Sequence, residues 1–174
     1  MSANVLWATV VAVLLVFAPS ATGAGVTSVS PREASLVERI IDGDTLVVRG
    51  GAHVRLLQID APESGEECYA AASTRELVRL APPGSRVVLE ADARLDRVDR
   101  YGRLLRYVRT GDTNVNLVLV RRGAATPWFY DGERGRYASQ LLAAVGSARA
   151  NRRGMWGACR VFWTPYGPVD TRPR

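Results

Sequence analysis

"LVERIIDGDTLVVRGGAHVRLLQIDAPE", residues 36–63, decides how the chain is read. Asp42-Gly43 and Gly50-Gly51 are strong turn signals, and the runs around them are rich in Val, Leu and Ile. Short β-prone runs joined by tight turns predict three antiparallel strands in a meander. The third takes in Leu56, Leu57, Gln58 and Ile59 as part of one buried strand. It carries charge at both ends, Arg55 at its start and Asp60 and Glu63 just past its end. Strands two and three run antiparallel, so the meander gathers Asp44, Asp60 and Glu63 at one end of the sheet. Carboxylates held close repel one another. A hard cation, Ca2+ or Mg2+, relieves that repulsion and prefers oxygen ligands. Taken singly, each acid reads as a turn or a solvated strand end, and the spacing is not that of an EF-hand loop.

Downstream the period changes. Residues 69–81, "YAAASTRELVRLA", lack internal Gly or Pro and predict a helix that "PPG" ends. "SRVVLEADA" reads as a strand, "LDRVDRYGR" as a charged loop and "LLRYVRT" as a strand. "DTNVNLVLVRRG" predicts a short helix with Asp112 or Thr113 as N-cap and Gly123 as stop. "AATPWFYDG" is extended or turn, residues 133–154 read as a last helix, and the proline-rich end of the chain reads as loose. Strands and helices in this order define an α+β chain, a curled five-stranded barrel with three helices packed outside.

The chain has 174 residues, enough for one domain with a sizeable core. Its 23 basic residues are all arginine and the net charge is +6, which suits an anionic partner such as nucleic acid. Residues 1–24 read as a secretory signal peptide: the apolar run Val5–Ala18 is short for a membrane span of roughly 20 residues and is followed by small residues. An uncleaved N-terminal anchor is the alternative. Residues 25–35 read as a flexible lead-in, 36–160 as the folded domain and 161–174 as a C-terminal tail. In an exported protein the two cysteines, Cys68 and Cys159, predict a disulfide closing a loop of about 90 residues. The chain-entropy model assigns such a loop roughly 4 to 5 kcal/mol.

Some chemistries are excluded. His53 is the sole histidine, and no nucleophilic triad forms around it. Two cysteines and one histidine are too few for a usual zinc site, and no phosphate-binding P-loop is present. The second positive lead is "DRYGR", Asp99–Arg103, within a series of arginines at 94, 97, 100, 103, 106 and 109. Most of these read as a solvated basic surface. Arg103 differs, because the turn at Tyr101-Gly102 can aim its guanidinium inward.

"IDGDT" (41–45), "VRLLQIDAPE" (54–63) and "DRYGRLL" (99–105) resemble, in order and spacing, the signature segments of staphylococcal-type calcium-dependent thermonucleases. "NLVLVRRGAA" (116–125) and "NRRGMWG" (151–157) look like later segments of that family. The resemblance implies an OB-fold barrel with the active site at its end. By resemblance, Asp44, Asp60 and the backbone carbonyl of Ala61 are ligands of one Ca2+, and Asp42 shapes the turn behind them. Glu63 is implied as general base for the attacking water, and Arg55 and Arg103 as the groups that hold the scissile phosphate. Tyr101 resembles a family tyrosine near substrate. The region of Trp128, Phe129 and Tyr130 is a candidate stacking surface; Phe129 is assigned to substrate and Trp128 to the core. Ala61 departs from the family's common threonine, but a backbone ligand survives that change. The implied activity is hydrolysis of DNA and RNA with little sequence preference, single strands favoured, leaving 3′-phosphate ends. The protein is expected to be secreted and monomeric, without stable membrane association after signal removal. The rival reading is a non-catalytic OB-fold nucleic-acid binder.

Overall fold

The structure, a computed structural model, describes residues 32–65 and 67–174. The leader expected over residues 1–24 and most of the lead-in lie outside the described residues. Five strands close into a barrel: β1 (Arg32–Ile40), β2 (Thr45–Val48), β3 (His53–Leu56), β5 (Arg86–Glu90) and β6 (Leu104–Thr110). β1 serves two neighbours. Residues Arg32–Leu36 pair with β5 and residues Val37–Ile40 with β2, and the register shifts between Val37 and Arg39. A bulge of this kind bends and twists a strand, which lets it turn the corner of a barrel. β2 and β3 meet across Gly50-Gly51, whose φ values of 93° and 82° lie in the left-handed region that glycine tolerates. β5 pairs antiparallel with β6, and β6 runs parallel to β3 and closes the ring. Two short strands, β4 (Ile59–Asp60) and β8 (Thr126–Pro127), pair beside it, and β7 (Thr113–Asn114) turns back to pair antiparallel with the end of β6.

Three helices flank the barrel: α1 (Ala70–Leu80), α2 (Val115–Arg122) and α3 (Ala138–Ala150); α4 (Met155–Ala158) is a single turn. Leu46, Leu56, Leu77, Leu119, Phe129 and Leu141 are fully buried in one core between helices and barrel. Burying each such side chain contributes about 1.5–3 kcal/mol. The α+β barrel expected from the sequence is the fold the chain adopts.

Several boundaries differ. β1 begins at Arg32, inside the segment read as lead-in. Its ladder to β5 needs only backbone groups, so exposed Arg32, Glu33 and Ala34 carry no hydrophobic signal. The third strand is broken: the chain turns at Leu57-Gln58, with Gln58 at φ 58°, and β4 starts afresh. Buried partners hold this turn, because Gln58 Oε1 accepts from Tyr107 OH (3.1 Å) and Gly135 N (2.9 Å). The N-cap of α2 is Asn114, whose side chain accepts from Leu117 N, rather than Asp112 or Thr113. The last helix starts at Ala138, and Gly135 ahead of it packs where a Cβ would meet Tyr107 OH at 2.5 Å. The C-terminal tail is ordered: β9 (Arg160–Phe162) and β10 (Asp170–Arg172) form a hairpin, and Cys68 and Cys159 form a disulfide at its base.

Candidate active site

The break at Leu57-Gln58 makes the site. In one continuous strand Arg55 and Asp60 would point to opposite faces, roughly 17 Å apart. The turn instead brings Arg55 Nη2 to 2.8 Å from Asp60 Oδ1 and 3.0 Å from Asp44 Oδ2. Arg55 Nη1 donates to the carbonyls of Leu56 (3.0 Å) and Ile59 (2.6 Å), so the guanidinium is clamped on both edges. All three side chains are about nine-tenths buried.

The turn carrying Asp44 is pinned from two sides. Asp42 Oδ1 accepts from Asp44 N at 3.0 Å. Gly43 sits so close to Ala61 and Ser73 that an added Cβ would meet their Cβ atoms at 2.6 and 2.7 Å. This close approach, not an unusual φ, is why glycine stands there. Asp44 Oδ2 accepts from Ala61 N at 2.8 Å and Asp60 Oδ2 from Val169 N at 2.8 Å.

One guanidinium against two buried carboxylates leaves the cluster one positive charge short. Burial pushes the Asp44 carboxyl up to about 7, more than Arg55 pulls it down, with Asp42 and Asp60 adding repulsion. Asp60 is also raised by burial, with Arg55 opposing and the charges of Glu63 and Glu67 adding to the rise. Among the described residues, no group of three or more His, Cys, Asp or Glu side chains converges as a metal site. The anionic oxygens that converge are those of Asp44 and Asp60.

In front of Arg55 opens a cleft of about 330 Å³, lined by Arg55, Arg103, Tyr101, Trp128 and Tyr130 among others. Arg103 Nε donates to Asp99 Oδ2 at 2.7 Å, and its backbone N to Asp99 Oδ1 at 3.0 Å. These bonds, together with that from Tyr101 N, hold Asp99 below the usual carboxylate range, although its partial burial pulls the other way. Tyr101 is exposed, with Arg100 and Arg103 guanidiniums 4.9 and 5.4 Å from its ring centre. Glu63 is exposed and near enough to Asp60 to repel it, but it does not line the cleft.

Two assignments change. Phe129 is fully buried and belongs to the core, so it cannot meet substrate. Trp128, read as core, is only partly buried and lines the cleft. The Arg55 guanidinium lies 6.0 Å from its ring centre, and Tyr130 packs edge-on at 5.9 Å. Sequence reasoning also missed Asp99 as the brace of Arg103, though their four-residue spacing around a Tyr-Gly turn was a signal. Nothing marked Val169.

The family model described as "Staphylococcal nuclease homologue" matches residues 53–158. Micrococcal nuclease of Shigella flexneri is 37% identical over 132 residues, spanning 69% of this chain and 71% of that protein. Thermonuclease of Staphylococcus intermedius is 31% identical over 132 residues, spanning 71% and 76%. Endonuclease YncB of Bacillus subtilis (strain 168) is 31% identical over 128 residues, spanning 69% and 60%. The chain belongs to the staphylococcal nuclease homologue family.

Proposed function

We propose that the chain is an exported, Ca2+-dependent nuclease that hydrolyses phosphodiester bonds of DNA and RNA with low sequence preference. The observation that carries the reading is the pairing of Arg55 and Arg103 on one cleft, with Arg55 backed by two buried carboxylates. Two guanidiniums on one concave face suit the paired oxygens of a phosphate. Asp44, Asp60 and the Ala61 carbonyl are the oxygen donors that would hold Ca2+, with water completing its shell. That set is hard and anionic, and its charge is only half neutralised by Arg55, which fits a divalent cation. When bound, the ion supplies positive charge beside the phosphate oxygens.

The remaining work belongs to side chains. Arg55 and Arg103 hold the scissile phosphate and stabilise the charge that builds on its oxygens. Glu63 takes the proton of the attacking water, a contribution of roughly 10² to 10⁴ in rate. Cleavage at the 5′ oxygen then leaves a 3′-phosphate. Tyr101, Trp128 and Tyr130 offer ring faces on which any base can stack, which favours single strands and low sequence preference. The disulfide supports the export reading, because such bonds persist in oxidising compartments. The protein acts as a monomer, free of the membrane once its leader is removed.

The test is digestion of heat-denatured DNA with excess Ca2+, with chelator, and with Glu63→Gln. Degradation that requires Ca2+ and is slowed at least a hundredfold by the substitution is expected. DNA binding without degradation in any lane would favour a non-catalytic barrel. At limiting Ca2+, cleavage should rise with pH through about 7 as the Asp44 carboxyl ionises; a flat profile between about pH 5.5 and 8 would count against Asp44 as a ligand.

A further inference from the structure

The C-terminal hairpin touches the site at two places. Val169 N donates to Asp60 Oδ2 at 2.8 Å, and that bond is buried. Thr171 N donates to Glu67 Oε1 at 3.1 Å, while the other oxygen, Glu67 Oε2, accepts from Glu63 N at 2.6 Å. Glu67 is therefore a two-ended link between the tail and the backbone of Glu63. The tail is itself fastened. Thr171 Oγ1 donates to Cys68 O (2.6 Å), Trp163 Nε1 to Pro127 O (2.7 Å) and Phe129 N to Pro165 O (2.7 Å). The disulfide Cys68–Cys159 ties the residue after Glu67 to the residue before β9.

Carboxylate terminal torsions are broad, so a carboxylate is aimed only if donors hold it. Here the donors on the tail are backbone N–H groups, which cannot rotate away, and a charged acceptor makes such bonds about twice as strong as neutral ones. Asp60 has one oxygen on the tail and one on Arg55. Glu63, though exposed, has its backbone held through Glu67.

We propose that the strap formed by residues 160–172 positions the active site, with Glu67 as the positioning residue that aligns Glu63 and Val169 N–H as the donor that aims Asp60. This rests on the roles of Glu63 and Asp60 in the nuclease reading above. Without the strap the chain keeps its barrel but loses the aim of two carboxylates. A displacement of about 1 Å at a reacting group can cost 10²-fold in rate.

The experiment is a double-mutant cycle in the full-length oxidised protein: wild type, Glu67→Ala, Glu63→Gln and the double variant, assayed on denatured DNA with Ca2+. Glu67→Ala is expected to lower kcat about 10- to 100-fold with KM nearly unchanged. In the Glu63→Gln background it should change kcat less than about twofold, because Glu67 acts through Glu63. Equal losses in both backgrounds would mean that Glu67 only stabilises the fold, and would overturn the proposal. Glu67→Gln, which keeps one acceptor oxygen, should recover part of the rate. Amide hydrogen exchange supplies a readout independent of cleavage. The Glu63 and Thr171 amides should exchange about tenfold or more faster in Glu67→Ala than in wild type. Unchanged exchange at both sites overturns the proposal. An inactive wild type whose amides respond as expected would overturn the nuclease reading and uphold the strap's hold on Glu63.

Discussion

Two clusters that pair buried acids with arginine sit in this barrel, and they are built differently. At the far end of β5, Glu90 is fully buried and meets Arg32, Arg136 and Tyr137 OH, at 3.2, 2.5 and 3.2 Å. Asp92 beside it accepts from Arg94 N and Arg136 N at 3.1 and 2.6 Å. Two guanidiniums face two carboxylates, and none of the four lines the cleft. At the other cluster one guanidinium faces Asp44 and Asp60, and it does line the cleft. A charge-balanced cluster, its acids buried and its arginines reaching out to solvent, ties strands to the segment that leads into α3. A charge-deficient cluster that opens on a cleft keeps its electrostatics available for something that arrives.

The largest expected contrast is in activity. Arg103→Ala should slow cleavage by about 10²–10³, the usual cost of one transition-state donor. Arg136→Met should leave cleavage per folded molecule within about twofold, measured on samples matched for folded fraction. Comparable losses would mean that both clusters serve the reaction.

Stability comes next. Removing one partner of a buried pair costs about 3–5 kcal/mol. Arg55→Met should fall in that range by urea unfolding without metal, and Arg136→Met should cost less, because its guanidinium is a third exposed and Glu90 keeps Arg32 and Tyr137 OH. Excess Ca2+ should restore much of the stability of Arg55→Met and none of that of Arg136→Met. Rescue of both, or of neither, breaks the distinction.

A smaller effect separates the neighbours Trp128 and Phe129. Trp128→Ala should raise KM for single-stranded DNA by roughly 1–3 kcal/mol of lost stacking, with the fold intact. Phe129→Ala should instead cost about 3–5 kcal/mol of stability. Kinetics and thermal melts on the same two variants decide it.

The last effect is pH-dependent. Asp44 ionises near 3.8 when unfolded and at about 7 in the metal-free fold. A raised folded value means that its contribution is fully present below 3.8 and is lost as pH rises through about 7. Ca2+ favours the ionised carboxylate, so the rise in melting midpoint that it produces should grow from pH 5.5 to 8. An increment that stays constant would place the ion elsewhere.

Much of this was legible in the sequence, and the reason is local. Turns at Asp42-Gly43 and Gly50-Gly51, the β-branched runs between them and the helix at 69–81 are written in adjacent residues. The boundaries that failed depend on distant partners. Gln58 takes its left-handed turn because Tyr107 and Gly135 receive its side chain. The tail is ordered because Cys68, Glu67 and Asp60 hold it from more than ninety residues away. Trp128 and Phe129 exchanged places because both lie past the two-residue strand Thr126–Pro127, in which both residues are buried, so no alternation fixes a face.

The parallel pairing of β3 with β6 sets Val54 opposite Leu104, one position past Arg103, and Arg55 opposite Leu105. This ladder closes the ring of the barrel, and it joins segments far apart in sequence, a slow kind of contact to form. The two guanidiniums become a pincer only when that seam zips. A chain in which that seam has not formed carries every residue of the cleft, yet Arg55 and Arg103 do not share one face.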